Sequence, residues 1–70
     1  MIPLSMMEAG RLVIIRKITG RDNVRQRLAE LGITVDSRIT IINSIAGNLI
    51  LQVKDSRIAL DKKMAMHILV

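Results

Sequence analysis

Few residues in this chain could do covalent chemistry, and their spacing is unfavourable for it. Ser5, Thr19, Thr34, Ser37, Thr40, Ser44 and Ser56 offer hydroxyls, and His67 is the only histidine. A hydroxyl becomes a nucleophile only when a base lies within hydrogen-bond reach. Set between Met66 and Ile68, His67 reads as an exposed or edge-strand residue. Glu8 and Glu30 are the only glutamates, and each has a simpler role in or beside a helix end, so no general acid–base pair is expected. Cysteine is absent, which removes thiolates, disulfides and cysteine zinc sites and suits a reducing compartment. A closed transition-metal site needs about three or four clustered ligands. The carboxylates Glu8, Asp22, Glu30, Asp36, Asp55 and Asp61 show no HxH, HxxxH or ExxH spacing with the one histidine. No catalytic residue and no metal ligand is assigned, and the chain is expected not to be an enzyme. Gly10, Gly20, Gly32 and Gly47 stand at element boundaries and match neither GxGxxG nor a P-loop, so direct GTP binding is not expected.

Charge is the remaining resource. Eleven Lys and Arg against six Asp and Glu leave a net charge of +5, which favours anionic partners. Phe, Tyr and Trp are all absent, so the stacking platforms of single-strand and RNA readers are missing. A nucleic-acid-associated barrel is therefore kept only as an alternative. Arg21, Arg25 and Arg27 fall on or near the first turns of a predicted helix, whose N-terminus already carries partial positive charge. Arg25 and Arg27 are two apart and point in different directions, so Arg21 and Arg25 form the natural pair. Arg57 or Lys54 would join them if the last loop folds over. Such a patch suits an acidic protein surface and would steer association more than create affinity.

The elements that must position these residues can be read from periodicity. Ser5 with Glu8 three residues on is a capping-box pattern opening a short helical turn that Gly10 can stop. Arg11 to Ile18 reads as one strand with Leu12, Ile14 and Ile18 on one face and Val13 and Ile15 on the other. Asp22 is a candidate N-cap for a helix carrying Val24, Leu28 and Leu31 on one stripe. Taking Leu31 as Ccap puts Gly32 at C′ and lets Ile33 touch Leu28, as in a Schellman cap. Arg38 to Ile45 reads as a strand, and the double isoleucine at 41 and 42 suggests a bulge. Ala46 to Asn48 is a tight connection; Leu49, Leu51 and Val53 alternate, as do Ile58 and Leu60 after a turn at Lys54 to Ser56. Asp61 can cap a short turn over Lys62 to Ala65, and His67 to Val70 is a possible closing strand.

Seventy residues make a single domain, residues 1–70, expected to bury about 60% of its chain surface and to keep about 4,400 Å² accessible. Twelve Ile, eight Leu and five Val argue against disorder. Five methionines are weak ligands and are expected to fill gaps in a core without aromatics, with Met6 and Met7 alternatively an exposed contact. The start of the chain does not read as a signal peptide. The longest uncharged run, Ile39 to Val53, falls short of the roughly 20 apolar residues that span a bilayer. Direct membrane insertion is not expected; the chain reads as soluble and cytoplasmic. Five short strands with one longer helix between the first and second describe a mostly β fold, a small curled antiparallel barrel with one inserted α-helix and short helical turns. Closure would cover hydrophobic edges.

The order of these motifs resembles the FeoA family of ferrous iron transport proteins. The likeness begins at Leu4-Ser5, Gly10, and the strand Arg11 to Ile18 ending in Gly20. It is sharpest in Val24-Arg25-Gln26-Arg27-Leu28-Ala29-Glu30-Leu31-Gly32-Ile33-Thr34, similar to the family's arginine-rich helix closed by Leu-x-x-Leu/Met-Gly-Leu/Ile-Thr. It continues through Ser37 to Ile42, Ile50 to Val53, and Arg57-Ile58-Ala59-Leu60, which looks like the family's "ALR" segment. The resemblance implies an SH3-like barrel in the cytoplasm, accessory to FeoB, the membrane iron transporter with a cytosolic GTPase domain. Arg21, Arg25, Arg27 and Arg57 would then be the partner-binding residues, and Gly10, Gly20, Leu28, Leu31, Gly32, Ile33 and Leu60 the structural ones. It also implies, as an alternative, a transition-metal-binding or sensing domain related to the C-terminal part of metal-dependent repressors, with Fe²⁺ as a weak ligand. The chain departs from the family pattern at the shortened Ala46 to Asn48 loop, at the third arginine position, and at Asp61, which follows Leu60 where the family has arginine.

Overall fold

The structure is a computed structural model that describes all 70 residues. A 3₁₀ turn at Leu4–Met6 leads into β1 (Leu12–Ile14) and β2 (Lys17–Ile18), then a helix, α1 (Asp22–Glu30). Three strands follow, β3 (Arg38–Ile45), β4 (Asn48–Val53) and β5 (Ser56–Asp61), and the chain ends through α2 (Lys62–Ala65) and β6 (Ile68–Leu69). One antiparallel sheet has the order β1-β3-β4-β5, and β2 pairs antiparallel with β6 in a second, two-stranded sheet. An isolated bridge between Pro3 and Leu69 lays the amino-terminal segment along β6. No helix is long and apolar enough to cross a membrane.

The strand expected to run unbroken from Arg11 to Ile18 is two strands, and the hydrogen bonds give the reason. Ile15 N–H donates to the Ser37 carbonyl at 3.0 Å, whereas the next amide, Arg16 N–H, donates to the Leu69 carbonyl at 2.8 Å. The chain therefore changes sheets between these two residues, as strands do at the corners of small barrels. The bend also resets the faces. Val13, Ile15 and Ile18 are buried together, while Leu12 and Ile14 are 63% and 37% exposed, so Ile18 does not share a face with them. A second corner lies in β3, where the pairing with β4 slips between Ile41 and Asn43. That is the bulge expected from the double isoleucine, and it leaves Ile39 and Ile41 buried and Ile42 and Ile45 exposed.

The tight connections behave as their sequences imply. Ala46 and Gly47 both take positive φ and join the paired residues Ile45 and Asn48, as in a type I′ hairpin. Between Val53 and Ser56 the turn carries Lys54 at φ 53, and Gln52 Nε2 donates to the Lys54 carbonyl at 2.7 Å across it. At the end of α1, Leu31 is the Ccap; Ile33 N–H donates to the Leu28 carbonyl and Gly32 N–H to the Ala29 carbonyl, both at 2.9 Å. These are the two bonds of a Schellman motif. Asp61 is the N-cap of α2, its Oδ1 accepting from Met64 N–H at 2.8 Å.

Other local expectations are corrected. Ser5 and Glu8 form no capping box: Pro3 stands at the N-cap of the opening turn with no side-chain cap, and burial of Leu4 fixes the turn instead. Asp22 is the first helical residue of α1; Arg21 occupies the N-cap and caps nothing with its side chain. Leu31 lies partly exposed beyond the stripe formed by Leu28 and Val24. Of the five methionines, only Met7 and Met64 pack against the core, and Met1, Met6 and Met66 are exposed. The core is a single cluster of fourteen residues, thirteen large aliphatics and Ala65, with no buried polar or charged residue. The accessible surface is 4694 Å², a little above expectation, consistent with the apolar side chains left outside.

Candidate docking site

The start of α1 is set by a backbone approach that glycine permits. Thr19 N–H donates to the His67 carbonyl at 2.8 Å, and Thr19 Oγ1 lies 3.2 Å from His67 Nδ1. The histidine ring then covers Gly20: a Cβ there would stand 3.1 Å from Nδ1 and 3.4 Å from Val24 Cβ. His67, next to β6, is thus a half-buried pin between the C-terminal segment and the base of the helix rather than the exposed residue that was one of the two expectations. Sequence reasoning missed it because its partners, Thr19 and Gly20, lie nearly fifty positions away, with no local pattern linking them.

From this base α1 presents its arginines to solvent. Arg21, Arg25 and Arg27 are all exposed. At about 100° per residue, Arg21 and Arg25 lie side by side while Arg27 is on the opposite flank of the Val24–Leu28 stripe. The Arg21 carbonyl accepts from Val24 N–H at 3.0 Å and Arg25 N–H at 3.2 Å. Asp22 is the only acid in the first turn, so the helix start carries two guanidinium groups beside its own positive dipole end. Arg27 sits in the last turn, where its charge favours the helix.

Arg57 does not join them. It pairs with Gln52 in the β4–β5 ladder, and its Nε donates to Gln52 Oε1 at 3.2 Å. The neighbouring residue of β4, Val53, is buried and faces Gly32 at the far end of α1. Gln52 and Arg57 therefore lie on the opposite, outward face of the sheet. Four predicted partner residues become a pair at the helix start and two separate cations.

The residues expected to be structural lie in the core, at the helix end and in turns. Leu28, Ile33 and Leu60 are in the core, Leu31 and Gly32 form the helix cap, and Gly10 lies in the turn before β1. No three histidine, aspartate or glutamate side chains come together. The donor set thus does not fit a resident closed transition-metal site.

A bent antiparallel barrel with one inserted helix, its charged groups scattered over the outside, defines a small SH3-like domain. The sequence pattern of the FeoA domain matches residues 2–70, and the chain belongs to that family. A relative in Methanocaldococcus jannaschii, described as "Putative Fe(2+) transport protein A", is 36% identical over 70 residues, covering 100% of this chain and 85% of the relative. A crystal structure described as an iron uptake regulatory protein (FeoA) superposes with a TM-score of 0.89 at 34% identity, over 96% of this chain and 89% of that one. The zinc complex of Stenotrophomonas maltophilia FeoA, described as a prokaryotic SH3 domain protein, gives a TM-score of 0.84 at 21% identity over 100% and 89% of the two chains; at that identity it speaks for the fold.

Proposed function

We propose that this protein is a small accessory or regulatory component of ferrous iron uptake that works in the cytoplasm by binding another protein. Its proposed partner is an FeoB-type membrane iron transporter, through the transporter's cytosolic GTPase domain. The observation that carries the reading is the family match over residues 2–70, joined by a relative of nearly equal length whose description names Fe²⁺ transport. Arg21 and Arg25 form the proposed contact, because they are the two cations that the helix places side by side at an end lacking a side-chain cap. Such a pair seeks an acidic surface, and its contribution fades as salt rises.

Titration of the 70-residue protein against the purified GTPase domain at low salt tests the partner; absence of binding by the folded protein refutes it. Replacing both residues (Arg21→Ser, Arg25→Ser) is expected to weaken binding by about fivefold or more and to flatten its salt dependence. Thermal stability should be unchanged or slightly raised, since two charges that oppose the helix dipole are removed. Unchanged affinity would refute the surface while leaving the partner standing.

A further inference from the structure

One apolar groove remains outside the arginine surface, and it runs along an unpaired strand edge. Its volume is about 310 Å³, and Leu12, Val13 and Ile14 all line it. Successive residues of a strand point to opposite faces, so three in a row can line one cavity only where it follows the strand's edge. The topology leaves β1 at the edge of its sheet. Ile41 N–H donates to the Arg11 carbonyl and Ile15 N–H to the Ser37 carbonyl, each at 3.0 Å, so the odd-numbered residues turn their polar groups toward β3. By the alternation of an antiparallel ladder, Leu12 and Ile14 turn N–H and C=O the other way, and no hydrogen bond to another segment takes them up. Ile2, Met7 and Val70 form the rest of the apolar wall, and Arg16 is the one charged residue on the lining.

We propose that this groove captures an extended peptide segment of a partner protein, added as a strand to the edge of β1, with two apolar side chains at alternate positions and an acidic residue at the end nearest Arg16. Main-chain bonds to Leu12 and Ile14 supply the pairing and the groove accepts the alternate side chains, as in strand-addition recognition generally. Charge decides between occupants. Arg11, Arg16 and Lys17 bracket the edge, so a second copy paired antiparallel about Val13 would set Arg11 of each chain against Ile15 of the other, next to that chain's Arg16 and Lys17. Like charges brought that close repel, whereas an acidic segment meets no lining carboxylate.

The test uses the intact protein and the capped peptide acetyl-Glu-Val-Thr-Val-Thr-amide, followed by amide NMR. Saturable shifts are expected at Ile2, Leu12 to Arg16 and Val70, together with slowed exchange of the Leu12 and Ile14 amides. N-methylation of the peptide on its pairing edge should weaken binding about tenfold or more, as should Ile14→Asp. Arg16→Glu should exchange the preference for the glutamate peptide for one starting with lysine; this charge reversal reports on the groove even if Ile14→Asp unfolds. No saturation, indifference to N-methylation, or concentration-dependent shifts of the same residues without peptide would overturn the proposal, the last by making a second copy the occupant. None of Arg21, Arg25, Arg27 or Arg57 lines the groove, so this result and the GTPase-domain result are independent.

Discussion

Replacing Gly32 in turn with asparagine, alanine and valine separates backbone strain from steric crowding at the cap on which α1 depends. Gly32 has φ +84, and a Cβ built there would meet only Val53 Cγ1, at 3.4 Å. That distance is ordinary contact, so Gly32→Ala carries the cost of the left-handed backbone and little else, about 1–2 kcal/mol. For a domain of this size such a loss lowers Tm by roughly 5–15 °C. Asparagine enters the left-handed region more readily than alanine, so Gly32→Asn should lose less. Valine adds a branch at Cβ beside Val53, against a fully packed core, and should lose more than alanine. Urea and thermal unfolding followed by far-ultraviolet circular dichroism give all three values. The expected order of stability is glycine, asparagine, alanine, valine. An alanine variant as stable as the parent, or an asparagine variant below alanine, would refute the view that the left-handed cap conformation is what position 32 requires.

Two other predictions concern single contacts, one local and one between distant parts of the chain. Asp61→Ala removes the acceptor that holds Met64 N–H at 2.8 Å and should cost about 1 kcal/mol in urea unfolding, while Asp61→Asn, which keeps a capping oxygen, should cost clearly less. Gly20→Ala places a Cβ 3.1 Å from His67 Nδ1 at a backbone φ of +99, so it combines strain with a clash. His67→Ala alone loses the Thr19 contact, about 0.5–1.5 kcal/mol. In the double variant the clash disappears, so the two losses should sum to more than the double variant shows. Strict additivity in a double-mutant cycle would mean that the imidazole does not rest on Gly20.

Signals confined to a few neighbouring residues were legible in the sequence. The Schellman cap needs only Leu28, Leu31, Gly32 and Ile33, and each takes the cap position its spacing implies. The bulge follows from two adjacent isoleucines that cannot both face the core, and the Asp61 cap follows from one residue and the turn after it. What failed were inferences that needed a partner from elsewhere. Arg11 to Ile18 carries no glycine or proline at its bend; only the separate acceptors of Ile15 and Arg16, Ser37 and Leu69, break it in two. Ser5 and Glu8 have the letters of a capping box, but burial of Leu4 and the preset φ of Pro3 decide that turn. Arg57 looked available to the helix because sequence does not say which face of a sheet a strand residue takes until its register is known. In the candidate docking site, the arginine pair was readable from helical spacing, and the Thr19–Gly20–His67 support beneath it was not.

The exposed aliphatic groups and the excess positive charge belong to one physical argument. Thirteen of the twenty-five large aliphatic side chains complete the buried cluster, so a barrel of this size has more apolar side chains than its interior can hold. Leu12 and Ile14 stand outside on an edge strand, the arrangement most prone to pairing with other chains. Two features limit that hazard: β1 is only three residues long, and Arg11, Arg16 and Lys17 flank it. Cations at both ends disfavour any partner that is equally basic, including another copy, and leave an acidic segment as the one that gains from both the apolar groove and the field around it. The same logic applies at the helix start, where Arg21 and Arg25 oppose helix stability and are therefore poorly explained by folding alone. An apolar edge guarded by positive charge and a basic helix end without a cap are the two features on which the proposed preference for acidic protein rests.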